Sequence, residues 1–434
     1  ALPIYVHQAA FDGDITATSL IDIAGNKIQS GSTEIASWAS ASASSAVNIT
    51  SSSKLQCSGC AVKVEATGST NLAGDVTSGT VELVASATLT VASSSSTTTT
   101  LTSAKLNAST VVYSGDLICS AASCKVIADA SHQLTIDSAG LLKCTGSACE
   151  IDVDAPTATI NGRVEATPIQ AKVKISTVGS LTLQSASDII AGDIDISSGG
   201  DLSLSANGWI KADGLGNPSE GGSGKGGTAV CPTSWTNSYE DNSGTGGGYG
   251  GEGGLSCKKP HSSCSDGTRG ASYGMSSASW PIHFGSGGGN MLINAYEVAN
   301  SGGKGGGRIK IVVAEKLTLS GKVTADGVPG TTQTSGNGYI GTTSWQGGGG
   351  SGGSILIDTK TLVGSGAVQA NGGSSSSGSG AGSGGRIAIY IESQGTVTGS
   401  VPTVDASVTA YGGTGSSCGG AAGTIFIRHG TLGM

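Results

Sequence analysis

The chain is short of aromatic side chains and of charge: of its 434 residues three are Phe, five Trp and nine Tyr, and charged residues make up 12%. So few rings exclude an aromatic-rich interior, and Val, Ile, Leu and Ala must supply a thin core of stacked aliphatic side chains. No run approaches the roughly 20 consecutive apolar residues of a membrane span. The opening Ala1-Leu-Pro-Ile-Tyr-Val6 reads as an extended strand and lacks the charged and apolar regions of a secretory leader. Helical periodicity is absent almost everywhere. With a formal net charge of −8 and no basic stripe, nucleic acid is excluded as a partner.

Glycine and cysteine stand out instead, at 74 and ten residues. Glycine at about 7% would be ordinary, so the excess has a structural purpose. The cysteines begin as three short pairs, Cys57 with Cys60, Cys119 with Cys124 and Cys144 with Cys149, the last two related by a step of 25 residues. We read these as disulfide-closed corners in an oxidising compartment. Cys231, Cys257, Cys264 and Cys418 can pair in three ways. A zinc site is not expected, since only Cys57-x₂-Cys60 has ligand spacing and no histidine supports the other pairs. Sequons at Asn48-Ile-Thr50 and Asn107-Ala-Ser109 mark glycosylation of an extracellular or cell-surface protein.

Short apolar/polar alternations such as Val81-Glu-Leu83 and Leu134-Thr-Ile136 read as half-buried strands. Val173-Lys-Ile175, Leu181-Thr-Leu183 and Ile189 recur 21 residues later as Ile194-Asp-Ile196, Leu202-Ser-Leu204 and Ile210. Three short strands in 21 residues without a helix are one coil of a solenoid. Downstream, an Ala-Asx-Gly closure (Ala212-Asp-Gly214, Ala325-Asp-Gly327, Ala370-Asn-Gly372, with Ala410-Tyr-Gly412 as a variant) leads into glycine-rich sequence. The chain re-enters at Gly306-Gly-Arg-Ile309, Gly352-Gly-Ser-Ile355, Gly384-Gly-Arg-Ile387 and Ala422-Gly-Thr-Ile425. The expected fold is all-β, a right-handed parallel β-helix with Gly-rich loop insertions at one corner. It comprises Cys-paired coils over 1–170 and Gly-rich repeats over 171–434, with a large inserted loop at about 215–288, in one continuous solenoid. Runs such as Gly347 to Gly350 are expected to pack as extended layers free of side chains, the alternative being flexible spacers.

The Gly-Gly-Arg-Ile and Gly-Gly-Ser-Ile repeats resemble glycine-rich β-helix repeats of large surface proteins, and Gly200-Asp-Leu-Ser-Leu-Ser-Ala206 is similar to filamentous haemagglutinin-type repeats. The resemblance covers about 170–430, implies a surface location and brings no catalytic residues. The first 170 residues depart from both patterns.

No catalytic, cofactor-binding or metal site is expected. Asp152 and Asp154 share a strand face, as a lyase or hydrolase would require, but no basic partner follows them in sequence. His7, His132, His261, His283 and His429 show no ligand spacing. Gly349-Gly-Ser-Gly-Gly353 matches a nucleophile elbow without its strand-to-helix setting, and Gly222-Ser-Gly-Lys-Gly-Gly-Thr228 lacks the Lys-Ser/Thr pair of a phosphate loop. The expectation is therefore a non-enzymatic extracellular structural protein, a head-to-tail homopolymer in a fibre or surface layer. The alternative is an adhesin that binds glycans through Trp235, Tyr239, Tyr249, Tyr273, Trp280 and Trp345.

Overall fold

Strands form wherever period-two alternation can turn one face inwards. A computed structural model describes residues 14–17, 20–23, 27–29, 39–43, 46–49, 54–73, 75–92, 96–99, 103–228, 243–257, 267–274, 278–293, 296–337, 341–376, 378–392, 407–415 and 418–430. They fall into two compact units. The first comprises Ala1–Ile190, Ile196–Gly208 and Val313–Glu315, the second Ala191–Asp195, Trp209–Val312 and Lys316–Met434. Among the described residues there is no helix, and so none long and apolar enough to cross a membrane.

In the first unit the strand Ser123–Ile136 pairs in parallel with Ser103–Tyr113 on one edge. On the other it pairs with Ala148–Ala155 along its first half and Thr157–Ile160 along its second. Parallel register places like residues in columns. Val81, Ala104, Val126, Ile151 and Val173 form one, and Leu89, Val111, Leu134, Ala158, Leu181 and Leu202 another, all of them buried. A separate parallel set, Asp116–Cys119, Leu141–Cys144, Arg163–Ala166 and Asp188–Ile190, stacks Leu117, Leu142, Val164 and Ile189. Each Val, Leu or Ile in these columns contributes roughly 1.5–3 kcal/mol on burial, and each Ala less. Outward positions carry cross-rung ion pairs: Glu82 with Lys105 at 4.0 Å, Glu150 with Lys125 at 3.8 Å and Asp152 with Lys174 at 3.7 Å.

The disulfides Cys119–Cys124 and Cys144–Cys149 close corners of adjacent rungs, with Cα–Cα distances of 6.1 and 5.9 Å. Cys119 lies in register with Cys144 and Cys124 with Cys149, so the 25-residue step is one rung.

In the second unit Ser354–Val363, Arg386–Ile391 and Thr424–His429 pair in parallel, stacking Ile355, Ile387 and Ile425, and beside them Ile357, Ile389 and Ile427. A second set, Trp209–Lys211, Lys322–Thr324, Ala367–Gln369 and Val408–Thr409, stacks Ile210, Val323, Val368 and Val408. Between closure and re-entry run the glycine tracts, extended and hydrogen-bonded to one another. Along one tract the N–H groups of Gly348 and Ser351 donate to Gly289 and Ser286, those of Gly349 and Gly352 to Gly380 and Ser383, and those of Gly350 and Gly353 to Val328 and Ala325. Every third donor thus reaches the same neighbouring tract, the three-residue turn of an extended left-handed helix whose bonds all go outwards. With backbone close on several sides, side chains have no room: a Cβ on Gly353 would lie 1.9 Å from the Gly307 carbonyl oxygen, and one on Gly349 2.1 Å from that of Gly373.

These observations correct the expected right-handed parallel β-helix, an open solenoid with Gly-rich loop insertions at one corner. In the first unit the long strand Ser123–Ile136 pairs with two successive strands along one edge, and with the second strand set these strands make a closed wall of parallel strands around the aliphatic columns. The stretch expected as an inserted loop at about 215–288 is, where described, largely a set of hydrogen-bonded tracts: Gly226 donates to Gly287, Gly248 to Gly224 and Gly270 to Gly246. The physical reason is that a buried peptide group must be paired, and glycine lets backbones come close enough to pair without a sheet.

Replacing Gly353 by Ala is expected to lower the stability of the second unit by about 2 kcal/mol or more, because its Cβ meets backbone. Gly419→Ala, where the nearest atom to a Cβ is 3.6 Å away, should shift stability by less than about 0.5 kcal/mol. Thermal unfolding of the two variants beside the parent chain checks the contrast.

Candidate functional site

The outer face of the strands Ser354–Val363, Arg386–Ile391 and Thr424–His429 presents three cross-strand rows with different surroundings. The first, Ser354–Arg386–Thr424, lies against the glycine tracts. Arg386 is fully buried there, donating to Thr424 Oγ1 at 3.1 Å and to the carbonyls of Tyr273 at 2.7 Å and Tyr249 at 3.4 Å, with its guanidinium 5.2 Å from the Tyr249 ring centre. The Tyr249 hydroxyl meets Ser354 Oγ at 2.7 Å, and the Ser354 hydroxyl donates to the His283 carbonyl at 2.5 Å. Arg308, the other Gly-Gly-Arg arginine, donates twice to Asp193, at 2.9 and 2.5 Å, and once to the Ile282 carbonyl at 3.2 Å. Both arginines thus tie strands to the tract backbone.

The third row, Asp358–Tyr390–Arg428, is uncovered. With Trp280, Ile391, Glu392 and Gly430 it lines a groove of about 270 Å³. The Trp280 and Tyr390 rings lie 5.9 Å apart, and Tyr390 and Phe426 5.6 Å, which makes a continuous aromatic surface. The Tyr390 hydroxyl donates to the Ser279 carbonyl, fixing the segment that carries Trp280. Trp280 is 47% exposed and Phe426 37%. Asp358, Glu392 and Arg428 make no side-chain hydrogen bond or ion pair among the described residues. Burial, with the Glu392 carboxylate next in effect, raises the Asp358 carboxyl above its ordinary range.

The Ala-Asx-Gly closures form a column. Asp213 Oδ1 accepts the Asp326 N–H at 2.7 Å, Asp326 Oδ1 that of Asn371 at 2.5 Å, and Asn371 Oδ1 that of Tyr411 at 2.9 Å. Each side chain satisfies the corner donor of the next rung, which explains why the motif asks for Asp or Asn. The Thr324 hydroxyl also donates to Asp213 at 3.0 Å. Burial, reinforced by the Asp213 carboxylate beside it, pushes the Asp326 carboxyl up to about 7, and burial raises Asp213 as well.

Of the aromatics singled out as glycan candidates, Tyr249 is buried and Tyr273 packs on it at 4.8 Å, so both are structural; Trp280 alone reaches the groove. Trp345 lies in the antiparallel pair Thr332–Asn337 and Gly341–Gln346. Trp235, Tyr239, His7, His261, Cys231 and Cys264 lie outside the described residues, as do the side chains of Asn48, Cys57 and Cys60. Asn107 sits half-buried in Ser103–Tyr113, in register with Val84 and Asp129. Of the three pairings open to the remaining cysteines, the structure shows Cys257 bonded to Cys418, Cα–Cα 5.7 Å. Ser351, centre of the elbow-like match, is buried against Ser286. In the segment that resembles a phosphate loop, the N–H groups of Gly226 and Gly227 donate to Gly287 and Thr268. No group of three or more metal-ligating side chains occurs among the described residues. Sequence reasoning missed Asp358, Tyr390, Glu392 and Arg428 as a site. The available signal was a fixed offset, since Asp358, Tyr390 and Arg428 each stand three residues after a re-entry isoleucine.

The Asx column sets a pH dependence. A carboxyl whose folded pKa is raised binds its proton more tightly in the folded state, so the stability it contributes is full below the unfolded value and is lost as pH rises from about 4 to about 7. Unfolding of the second unit is expected at higher temperature at pH 5 than at pH 8. Asp326→Asn, which keeps the Oδ1 acceptor, should remove much of the difference and stabilise at pH 8 by about 2 kcal/mol. Calorimetric scans across that range on both chains check it.

No family model, curated protein or solved structure matches this chain.

Proposed function

We propose that this is an extracellular structural protein, a subunit of a fibre or surface layer built from copies of this chain joined at their strand edges. The observation carrying the reading is the inward column of the second unit. Ile357 is 0% exposed and Ile389 1%, but Ile427, in register with Ile389, is 36% exposed. Among the described residues Thr424–His429 pairs on one edge only, with Arg386–Ile391, and leaves a row of backbone donors and acceptors for a further strand. In the first unit, among the described residues, Asp14–Ala17 pairs in parallel with Ala39–Ala43 and Leu20–Ile23 with Ala46–Ile49, each on one edge. A parallel contact between such strand edges of two molecules would keep strand polarity and repeat without closure, which grows a filament. Partners are thus copies of this chain. Disulfides at Cys119–Cys124, Cys144–Cys149 and Cys257–Cys418 and the sequons at Asn48 and Asn107 support an oxidising, extracellular setting.

No catalytic role is proposed. The basic partner not expected for Asp152 and Asp154 is present at the first of them, Lys174 lying 3.7 Å from Asp152 on the outer strand positions.

The purified 434-residue chain is expected to show mass by light scattering that rises with concentration, and filaments by negative-stain microscopy. Ile427→Lys, which puts a charge into the open column, should leave a monomer with unchanged far-ultraviolet circular dichroism. A parent chain that stays monomeric at high concentration, or an Ile427→Lys chain that polymerises like the parent, would refute the reading.

A further inference from the structure

We propose that the groove between Trp280 and the row Asp358–Tyr390–Arg428 binds neutral pyranose glycans, a binding site independent of the polymer reading. A pyranose has an apolar face of C–H groups and a rim of hydroxyls. Trp280 and Tyr390 in the groove, with Phe426 next to Tyr390, offer ring surface for the first, neighbouring rings being 5.9 and 5.6 Å apart and inclined by 56° and 50°. Asp358 and Glu392 supply acceptors for the hydroxyls and Arg428 donors for their oxygens; among the described residues none of the three makes a side-chain hydrogen bond or close ion pair, although Lys310 acts on Asp358 at longer range. Charged acceptors bonded to hydroxyls outmatch neutral ones, and they reject a ligand that cannot donate.

The charge balance selects among sugars. Asp358 and Glu392 line the groove with Arg428, and Asp358 sits in the field of Glu392, offset in part by Lys310, so a uronate or sulfated glycan would set its charge against two neighbouring carboxylates. Neutral hexose chains add none. The platform is also held before any ligand arrives. The Tyr390 hydroxyl is tied to the Ser279 carbonyl, and Trp280 and Phe426 flank the same Tyr390 ring, so little ordering cost remains for binding. The position fits an exposed role, because the groove lies on the outer face, whereas the proposed polymer contact uses the inward column and the free strand edge.

The test titrates the full chain with cellohexaose, laminarihexaose and mannohexaose, and with hexagalacturonate as the anionic counterpart, by calorimetry and by tryptophan fluorescence. At least one neutral oligosaccharide is expected to bind, and hexagalacturonate is not. Trp280→Ala should weaken binding about tenfold or more. The volume-conserving pair Asp358→Asn with Glu392→Gln should weaken it comparably while thermal unfolding stays unchanged, which separates loss of the site from loss of the fold. The proposal is overturned if no neutral oligosaccharide binds at millimolar concentration, if hexagalacturonate binds as well as they do, or if Trp280→Ala leaves affinity unchanged. A Trp280→Ala chain with shortened filaments and unaltered glycan affinity would assign the groove to the next subunit instead.

Discussion

A backbone N–H that leaves water must find a carbonyl, and in this chain it finds one on a neighbouring extended segment. In the strands the partner is the next rung, and the register so imposed stacks Val126 on Ala104 and Ile151 on Val126. In the glycine tracts the same bond runs in several directions, and each residue's donor serves a different neighbour from the last. An interior poor in aromatics remains ordered because the hydrogen-bond lattice fixes positions that large side chains would otherwise have to fix. At tract positions such as Gly349 and Gly353 only glycine permits this, since the space where a Cβ would stand is occupied by carbonyl oxygens.

The polar groups follow from that lattice. Where a strand turns a corner its N–H has no rung-mate carbonyl, and an Asx side chain from the preceding rung supplies the acceptor. The cost is that two carboxylates, Asp213 and Asp326, stand together in a desolvated column. Where the tracts lie on the strand face their carbonyls meet arginine: Arg386 holds those of Tyr249 and Tyr273, and Arg308 that of Ile282. The tract cover reaches the row of Arg386 and leaves the row of Tyr390 open, and so the groove lies beside a fully buried charge.

Much of this was legible in sequence, for a local reason. Period-two alternation and recurrence at 21 residues are properties of neighbouring residues, and they place strands at Lys172–Thr177, Leu181–Leu183, Asp188–Ile190 and Leu202–Leu204. The Ala-Asx-Gly closure was visible as a pattern, although its function as a cross-rung acceptor was not, because the accepting and donating residues are 113, 45 and 40 positions apart. The groove was hardly visible. Trp280 is one tryptophan in a glycine-rich segment, and nothing local says that it comes to lie on Tyr390.

By itself the sequence determined an all-β chain, the faces of its strands, the corners closed by Cys119–Cys124 and Cys144–Cys149, and a core of Val, Ile, Leu and Ala. Alternation, short loop closure and composition act within a few residues and need no knowledge of the rest. Packing of the glycine runs as extended layers was expected, but only the tertiary structure decided which carbonyl each tract N–H meets, and that Cys257 meets Cys418 across 161 residues. It also decided that Arg386 is buried while Tyr390, four residues on, is open. Those outcomes depend on which backbone lies against which. A glycine tract carries no side chain with which to announce its neighbours.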